Sequence, residues 1–279
     1  MIADMRTLCT LLLASSPILL GQPDTHQIVT RSIAVADRSW AARQTYLYLE
    51  RDEESHLDSA GRITSTDIRV SRAVLVNGET IDQVVSHNGK PPTPEQMKKD
   101  QDLLRKRRDE TSQERTARRR TEKENRAFID DVVSAFNFRL LGEQAIEGRP
   151  AYILEATPKS GYRARSKYGK MFSKVQGKLW VDKQDFGWVK VDADVKAPFS
   201  MGLFLARVQP GTRIFFQQTR VAEGIWLPKR IEIKANARIL LLKNYQMQEV
   251  LSYSEYRLAQ PSEIVAERTK PVKDSSPGL

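Results

Sequence analysis

The residues that could do acid–base or metal chemistry are few and scattered in this chain. Its three histidines are dispersed and lack the close spacing of metal ligands: His26, His56 and His87. Two pairs of nearby acids fall on polar faces of a predicted helix and a predicted strand: Asp130–Asp131 and Asp192–Asp194. Acids in such positions are typically solvated surface groups rather than general acids or bases. The sequence therefore predicts a protein that is not an enzyme, with no metal site and no cofactor.

An uncharged stretch, Thr7 to Leu20, lies near the N-terminus. It is shorter than the roughly 20 residues that cross a bilayer, and its length fits the apolar region of a secretory signal peptide. Residues 1–21 are therefore predicted to be a cleaved signal peptide, with a buried N-terminal helix as the alternative. Cys9, the only cysteine, lies inside this stretch, so the mature chain would contain no disulfide.

Basic residues are concentrated between Lys98 and Arg126, in a chain whose net charge is +10. No helical face in this segment is apolar throughout, so residues 94–126 are predicted to form an exposed charged helical arm. Docking to an anionic membrane surface or an envelope protein is expected from its clustered cations: Arg105, Lys106, Arg107, Arg108, Arg118, Arg119 and Arg120. A solubilising helix is the alternative interpretation. Nucleic acid is not expected as a partner, because acids are interleaved with the bases and no aromatic residue could stack on a base.

Apolar and polar residues alternate over much of the chain between Val175 and Tyr256. From Trp188 to Lys196, for example, Val189 and Val191 fall on one face, and Lys190 and Asp192 on the other. A period of two predicts an antiparallel sheet with one buried face. Earlier in the chain, Asn77-Gly78 between two β-rich segments predicts a tight hairpin.

Two helices are predicted outside these strands. Thr93 is an expected N-cap, followed by Pro94 at the first position of the arm. Ala127 to Phe138 has apolar residues at helical spacing and is expected to be the helix that fills the sheet. The predicted organisation is: 1–21 signal peptide; 22–93 N-terminal strands; 94–126 arm; 127–257 plug helix and C-terminal strands; 258–279 disordered tail.

Two segments are apolar on both faces: Phe199 to Val208, and Ile239 to Leu242. A fully buried strand or a short helix on the core would explain the first of them. The functional interpretation is a hydrophobic cavity wall, with these expected lining residues: Phe199, Met201, Leu203, Phe204, Leu205, Phe215, Leu240 and Leu242. A mixture of methionine, small and large apolar side chains makes an adaptable surface.

The C-terminal strands resemble a known family. GKLWVD (Gly177 to Asp182), a turn with Phe186-Gly187, the strand WVKVDADV, GIWLPKRIEI (Gly224 to Ile233) and a last strand ending YSEYR are similar to bacterial outer-membrane lipoprotein-sorting proteins of the LolA/LolB type. The resemblance covers Val175 to Arg257 well and the N-terminal half by strand order. The arm, residues 94–125, departs from that pattern, and no binding residue of the family is carried over.

The resemblance implies a mainly β (α+β) fold: a curved antiparallel half-barrel of about 10–12 strands wrapped around a helix. It also implies a periplasmic monomer that binds or carries a lipid, an acyl chain or another hydrophobic ligand on its concave face. An envelope-stress sensor or protein-interaction module on the same fold is the alternative. An enzyme with an unrecognised site is the third possibility.

Overall fold

The computed structural model describes residues 24–201, 206–239 and 243–260. The predicted signal peptide and most of the predicted tail lie outside this range. The helices described are α1 (Thr25–Arg43), α2 (Pro94–Arg108), α3 (Ser112–Arg126), α4 (Phe128–Ala135) and a 3-10 helix, Gly169–Lys174. The strands described are β1 (Tyr46–Leu57), β2 (Ile63–Val76), β3 (Glu79–His87), β4 (Phe136–Ile146), β5 (Arg149–Pro158), β6 (Val175–Asp182), β7 (Trp188–Val195), β8 (Phe199–Met201), β9 (Ala206–Val208), β10 (Arg213–Ala222), β11 (Ile225–Ile239) and β12 (Lys243–Leu258).

All these strands belong to one open antiparallel sheet. Its order is β3-β2-β1-β12-β11-β10-β7-β6-β5-β4, and the short β8–β9 hairpin pairs with the far end of β11. Six of the junctions in this order join strands that follow one another in the chain through a connection of five residues or fewer, as alternation and turn residues favour. The structure confirms the predicted fold class: an open half-barrel of antiparallel strands with a helix on one face and a charged helical arm.

The Asn77-Gly78 hairpin joins β2 and β3 as predicted. Both turn residues have left-handed backbone angles, with φ of 50° at Asn77 and 77° at Gly78. Such a turn matches the twist of the strands that it joins. The Asn77 side-chain amide donates hydrogen bonds to the carbonyl oxygens of Arg107 (3.0 Å) and Arg108 (3.1 Å). The turn therefore also holds the C-terminal end of α2.

Helix α1 lies across one end of the sheet, and the sequence did not predict it. Its contacts cross the strands in order from β4 to β1: Thr25 with Phe138, Ser32 with Trp188, Ser39 with Trp226, and Arg43 with Tyr48. Between these contacts, Ile28 and Val29 pack against Leu154 and Leu179 in the core. The start of segment 22–93, which was predicted to form N-terminal strands, thus supplies the helix that covers the sheet. We call the face of the sheet covered by α1 the inner face.

The predicted plug helix, Ala127 to Phe138, is shorter and placed differently. Helix α4 spans eight residues, and Phe136 already begins β4. The apolar stripe of α4 packs beside the sheet, where Phe128 contacts Phe172 of the 3-10 helix and Val132 joins the same cluster. Helix α1 is roughly 28 Å long at 1.5 Å per residue, and α4 is less than half that length. The longer helix across the sheet is thus α1, and α4 adds Val132 and Val133 to the same core.

Replacing Ser32 by alanine should destabilise the packing of α1 on the sheet. The Ser32 hydroxyl is fully buried, accepts from the Trp188 indole nitrogen at 2.7 Å and donates to the Val29 carbonyl oxygen at 2.7 Å. Alanine leaves the indole N–H without its partner, so we expect a loss of about 2 kcal/mol in the free energy of unfolding. Urea denaturation measures it. The control, Ser134→Ala, removes a hydroxyl that bonds within its own helix and should change stability by less than about 0.5 kcal/mol.

The charged arm is a pair of helices anchored to the sheet. As predicted, Thr93 caps α2, accepting from the Gln96 amide at 3.2 Å. Glu79, at the start of β3, has a side chain that is 5% exposed and forms ion pairs with Arg118 (2.6 Å), Arg119 (2.6 Å) and Arg107 (3.3 Å). Glu79 therefore joins both helices of the arm to the start of β3, in addition to the contacts of Asn77 with α2.

Most of the cations predicted to dock on an anionic surface have internal partners. Arg107, Arg118 and Arg119 converge on Glu79. Two further pairs lie on the surface of the arm: Arg105 with Asp102, and Arg120 with Glu124. Lys106 and Arg108 are the members of the predicted set that form no close salt bridge in the described part of the chain, although Lys106 interacts with Glu114 at longer range. The arm is thus a folded, self-neutralised element for most of its charge.

Candidate functional site

Helix α1 covers one end of the inner face, and the rest of that face forms the candidate site. Residues directly opposite one another on antiparallel strands point to the same face, so the register identifies its members. One row runs across the sheet from beneath α1 to β2: Leu140, Leu154, Leu179, Val191, Phe216, Ile231, Leu251, Asp52 and Arg69. Leu154 and Leu179 are buried by α1, whereas the members from Val191 to Leu251 are only partly buried.

The middle of this face is apolar. We define the apolar band as the inner-face side chains of β7, β10, β11 and β12 that lie beyond α1: Val191, Ile214, Phe216, Ile231, Ile233 and Leu251. Ile214 lies opposite Ile233 in the row next to the first one. Among the described residues, the members other than Val191 belong to no buried core cluster. The band is therefore an apolar surface that the described parts of the protein leave partly accessible.

Carboxylates border the apolar band on the side of β1. We define the acidic band as Glu50, Asp52, Glu54 and Glu249. Glu249 lies directly opposite both Ile233 on β11 and Glu54 on β1. Since neighbouring strands are about 4.8 Å apart, an apolar and an acidic side chain are separated by a single strand spacing. The inner face thus changes from apolar to acidic along one row.

Asp52 has one carboxylate oxygen without a partner. The residue is 8% exposed; Arg69 donates to its Oδ2 at 2.7 Å, but its buried Oδ1 accepts no hydrogen bond from the described residues. An unsatisfied buried acceptor costs about 1–3 kcal/mol. Such an atom would be stabilised by a hydrogen-bond donor that the described residues do not supply.

The acidic band has few compensating charges, and its pKa values reflect this. Burial, together with the nearby carboxylates of Asp52 and Glu54, raises the pKa of Glu249 above its usual value. Burial also raises the pKa of Glu50, although a hydrogen bond from Tyr253 opposes that effect. Carboxylates crowded without enough cations favour the protonated form. A positive charge added next to the acidic band would therefore stabilise its ionised carboxylates.

The stability of a Glu249→Gln variant should depend on pH relative to the wild type. A carboxyl with a raised pKa binds its proton more tightly in the folded state, so its contribution to stability falls as pH rises from the unfolded pKa through the raised one. Glutamine removes the charge, and the variant should therefore be more stable than the wild type at pH 7 and equally stable below about pH 4. Thermal unfolding across pH measures the difference. The control, Glu53→Gln on the opposite face, should show no such gain at neutral pH.

Three of the eight predicted cavity residues lie in the described part of the chain. Phe199 and Met201 are in β8, which pairs through β9 with Ala237–Ile239 of β11. Leu203, Phe204, Leu205, Leu240 and Leu242 lie outside the described residues. The described parts of the two predicted apolar segments are thus neighbours, because β9 pairs with the last residues of β11. They lie at the end of the sheet away from α1.

Phe215 lies on the other side of the sheet. It is opposite Asp192 and Glu232, and the Lys190 ammonium is 5.9 Å from its ring centroid. We call this the outer face. Phe216, its neighbour, lies on the inner face. Sequence reasoning missed Phe216 because two consecutive phenylalanines fit either face, and only the pairing register distinguishes them.

Clefts of about 430, 450 and 310 Å³ open elsewhere on the protein. The first is on the outer face and is lined by Trp180, Lys190, Asp192 and Arg213 among others. The second lies beside α1 and Gly224, and the third between α1 and α3. Among the described residues, no group of three or more His, Cys, Asp or Glu side chains could hold a metal ion. None of the described helices has the length and apolarity needed to cross a membrane.

Comparisons with known proteins found neighbours among solved structures. No protein-family model and no curated protein matches the sequence. A LolA superfamily protein from Nitrosomonas europaea is similar over 84% of this chain and 93% of its own, at 14% identity and a TM-score of 0.32. An outer membrane lipoprotein-sorting protein domain from Vibrio parahaemolyticus is similar over 84% and 94%, at 12% identity and a TM-score of 0.33.

The MucA/MucB complex of Pseudomonas aeruginosa also contains a similar chain. The similarity covers 82% of this chain and 99% of the other, at 11% identity and a TM-score of 0.23. Identities this low concern the fold alone. The solved structures to which the chain is similar thus include the lipoprotein-sorting family that its strand motifs resemble.

Proposed function

We propose that the chain is a non-enzymatic binding protein that holds a hydrophobic or acylated ligand on the apolar band of its inner face. The observation that supports this most is the continuous row from Leu154 to Leu251, which is buried by α1 at one end and accessible at the other. A sheet face of this kind gains stability when another molecule covers it. Each 100 Å² of apolar ligand surface removed from water contributes about 2.5 kcal/mol before ordering costs.

We also propose that the protein is located in the periplasm, because the uncharged stretch from Thr7 to Leu20 fits an export signal. Carriage between membranes would need the ligand to be exchangeable, and an open face allows exchange more readily than a closed cavity. Fusion of the first 30 residues or so to a reporter that is active only in the periplasm tests the location. An inactive fusion that stays in the cytoplasm would contradict it.

Binding itself is tested with an uncharged apolar probe. Phenylnaphthylamine fluoresces when it leaves water, so titration of the purified full chain should give a saturable increase in fluorescence that a fatty alcohol displaces. Organic extracts of the purified protein, analysed by mass spectrometry, would identify a bound lipid. A linear, non-saturable signal equal to that of a protein without an exposed apolar face would contradict the proposal.

A further inference from the structure

The acidic band has too few cations to neutralise it. Arg69 pairs with Asp52, and Arg43 of α1 lies near Glu50. The side chains next to Glu54 are His56, whose Nε2 is 3.3 Å from it, and Tyr245, whose hydroxyl donates at 3.4 Å. Asp67 lies directly opposite Glu54 on β2 and pairs with His87. Glu249 has no hydrogen bond or ion pair with any of the described residues. The four carboxylates of the acidic band thus face two guanidinium groups, and Asp67 and Asp82 add further negative charge on the same face.

This excess of negative charge is local. The chain as a whole has a net charge of +10. A patch of the opposite sign on one face is selective, because it attracts cations to that face and repels the anionic head groups to which the rest of the surface would be attracted. An anionic lipid on the apolar band would place its head group next to Glu249 or at the open end of the sheet, away from β1.

A polypeptide meets the geometry better than a single-headed amphiphile does. Glu54, Glu249 and the free Oδ1 of Asp52 offer several separate acceptors within about two strand spacings of Ile233 and Leu251. One cationic head group would satisfy one of them. A segment with alternating apolar and basic residues can bury leucine-like side chains on β11 and extend two or more basic side chains over β12 and β1.

We propose that the acidic band binds the lysine or arginine side chains of an amphipathic polypeptide segment, while the apolar side chains of that segment lie on the apolar band. This inference rests on the proposed function, since it uses the same inner face. It specifies the partner as a protein that exposes a basic, amphipathic segment. Guanidinium or ammonium donors would complete the unsatisfied Oδ1 of Asp52 and remove the crowding of carboxylates around Glu249.

The test uses two fluorescein-labelled synthetic peptides, one built of leucine and lysine and the other with glutamine in place of every lysine. Anisotropy titrations with the full chain at low salt should show that the lysine peptide binds at least about tenfold more tightly. The double variant Glu54→Gln, Glu249→Gln should lose that preference and keep its affinity for the glutamine peptide. Higher salt should weaken the lysine peptide selectively.

A matched control for the double variant exists on the opposite face of the sheet. Glu53 and Glu232 lie on the outer face, both directly opposite Val250. The double variant Glu53→Gln, Glu232→Gln changes the net charge equally and should retain the tenfold preference. Both double variants should unfold cooperatively, because glutamine relieves repulsion on the inner face and is tolerated on the outer one.

The outcomes separate the two proposals. Equal binding of both peptides, with phenylnaphthylamine still bound, would overturn the basic partner and leave the apolar binding face. Failure of both peptides and of phenylnaphthylamine would overturn both proposals. Binding of phosphatidylglycerol vesicles that outcompetes the lysine peptide and strengthens in Glu54→Gln, Glu249→Gln would show that the face prefers an anionic lipid, which also overturns the basic partner.

Discussion

Replacing Glu79 by glutamine is expected to lower the free energy of unfolding by about 3 kcal/mol at pH 7. Its carboxylate is buried at the base of the arm and receives three guanidinium groups, from Arg107, Arg118 and Arg119. Breaking a buried ion pair by removing one partner costs about 3–5 kcal/mol. The lower end applies here because Arg119 is 54% exposed and regains water. Urea denaturation measures the change.

The effect should have a defined pH dependence. Burial by itself would raise the pKa of Glu79, but hydrogen bonds from Arg119 and Arg118 outweigh it and hold the pKa below its usual value. A carboxyl with a lowered pKa stabilises the fold above its unfolded pKa, and that stability is lost as pH falls through the folded one. The wild type and Glu79→Gln should therefore converge in stability in acid, below about pH 4.

A surface ion pair on the same arm is the control for Glu79. Glu124 pairs with Arg120, and both side chains are more than 60% exposed. Exposed pairs contribute about 0–1 kcal/mol, so Glu124→Gln should change stability little. If Glu79→Gln were as mild as Glu124→Gln, the arm would not be anchored by the buried carboxylate.

Truncation of Phe216 is expected to weaken binding of phenylnaphthylamine by roughly tenfold or more. Phe216 lies in the centre of the apolar band, between Val191 and Ile231. Burying a large apolar side chain against a ligand contributes about 1.5–3 kcal/mol, and alanine removes most of that contact. Fluorescence titration of Phe216→Ala against the wild type measures the ratio of dissociation constants.

Phe215 provides the matched control for this truncation. It is the same residue type on the same strand, one position away, but on the outer face next to Lys190. Phe215→Ala should change the affinity for the probe by less than about twofold. Equal losses in the two variants would mean that the probe reports general unfolding, and a larger loss in Phe215→Ala would move the site to the outer face. Circular dichroism of both variants checks that the sheet remains intact.

Local patterns were sufficient to predict the sheet. Alternation identified the strands from β6 onward, and Asn77-Gly78 and Asn88-Gly89 adopt the left-handed turn angles that such pairs favour. Thr93 and Pro94 marked the start of α2 correctly. In each case the deciding interaction joins residues that are close in sequence.

Helix α1 was missed for a physical reason. Its buried stripe combines valine and isoleucine with Ser32 and Ser39, residues of modest helix propensity, and Trp40 continues the helix where a strand was expected. The serines are favourable only because Trp188 and Trp226, far along the chain, supply their hydrogen-bond partners. Tertiary contacts therefore decide this helix.

The sequence predicted the type of site but not the residues that form it. An apolar sheet face was expected, but its members depend on register, as Phe215 and Phe216 show. The acidic band joins the first strand to the last, where Glu54 lies opposite Glu249. Neither carboxylate has a distinctive sequence context, so only the pairing of β1 with β12 reveals that they share a face.

The isoleucine methyl groups provide the most direct test of where a ligand binds. The full chain, labelled with carbon-13 at isoleucine methyls, is titrated with an uncharged alkyl glycoside below its micelle concentration. We expect chemical-shift changes to concentrate at Ile214, Ile231 and Ile233, with little change at the buried Ile28 and Ile81. Shifts confined to Ile153 on the outer face, or no saturable shift at any isoleucine, would contradict the claim that the inner face beyond α1 is the binding surface.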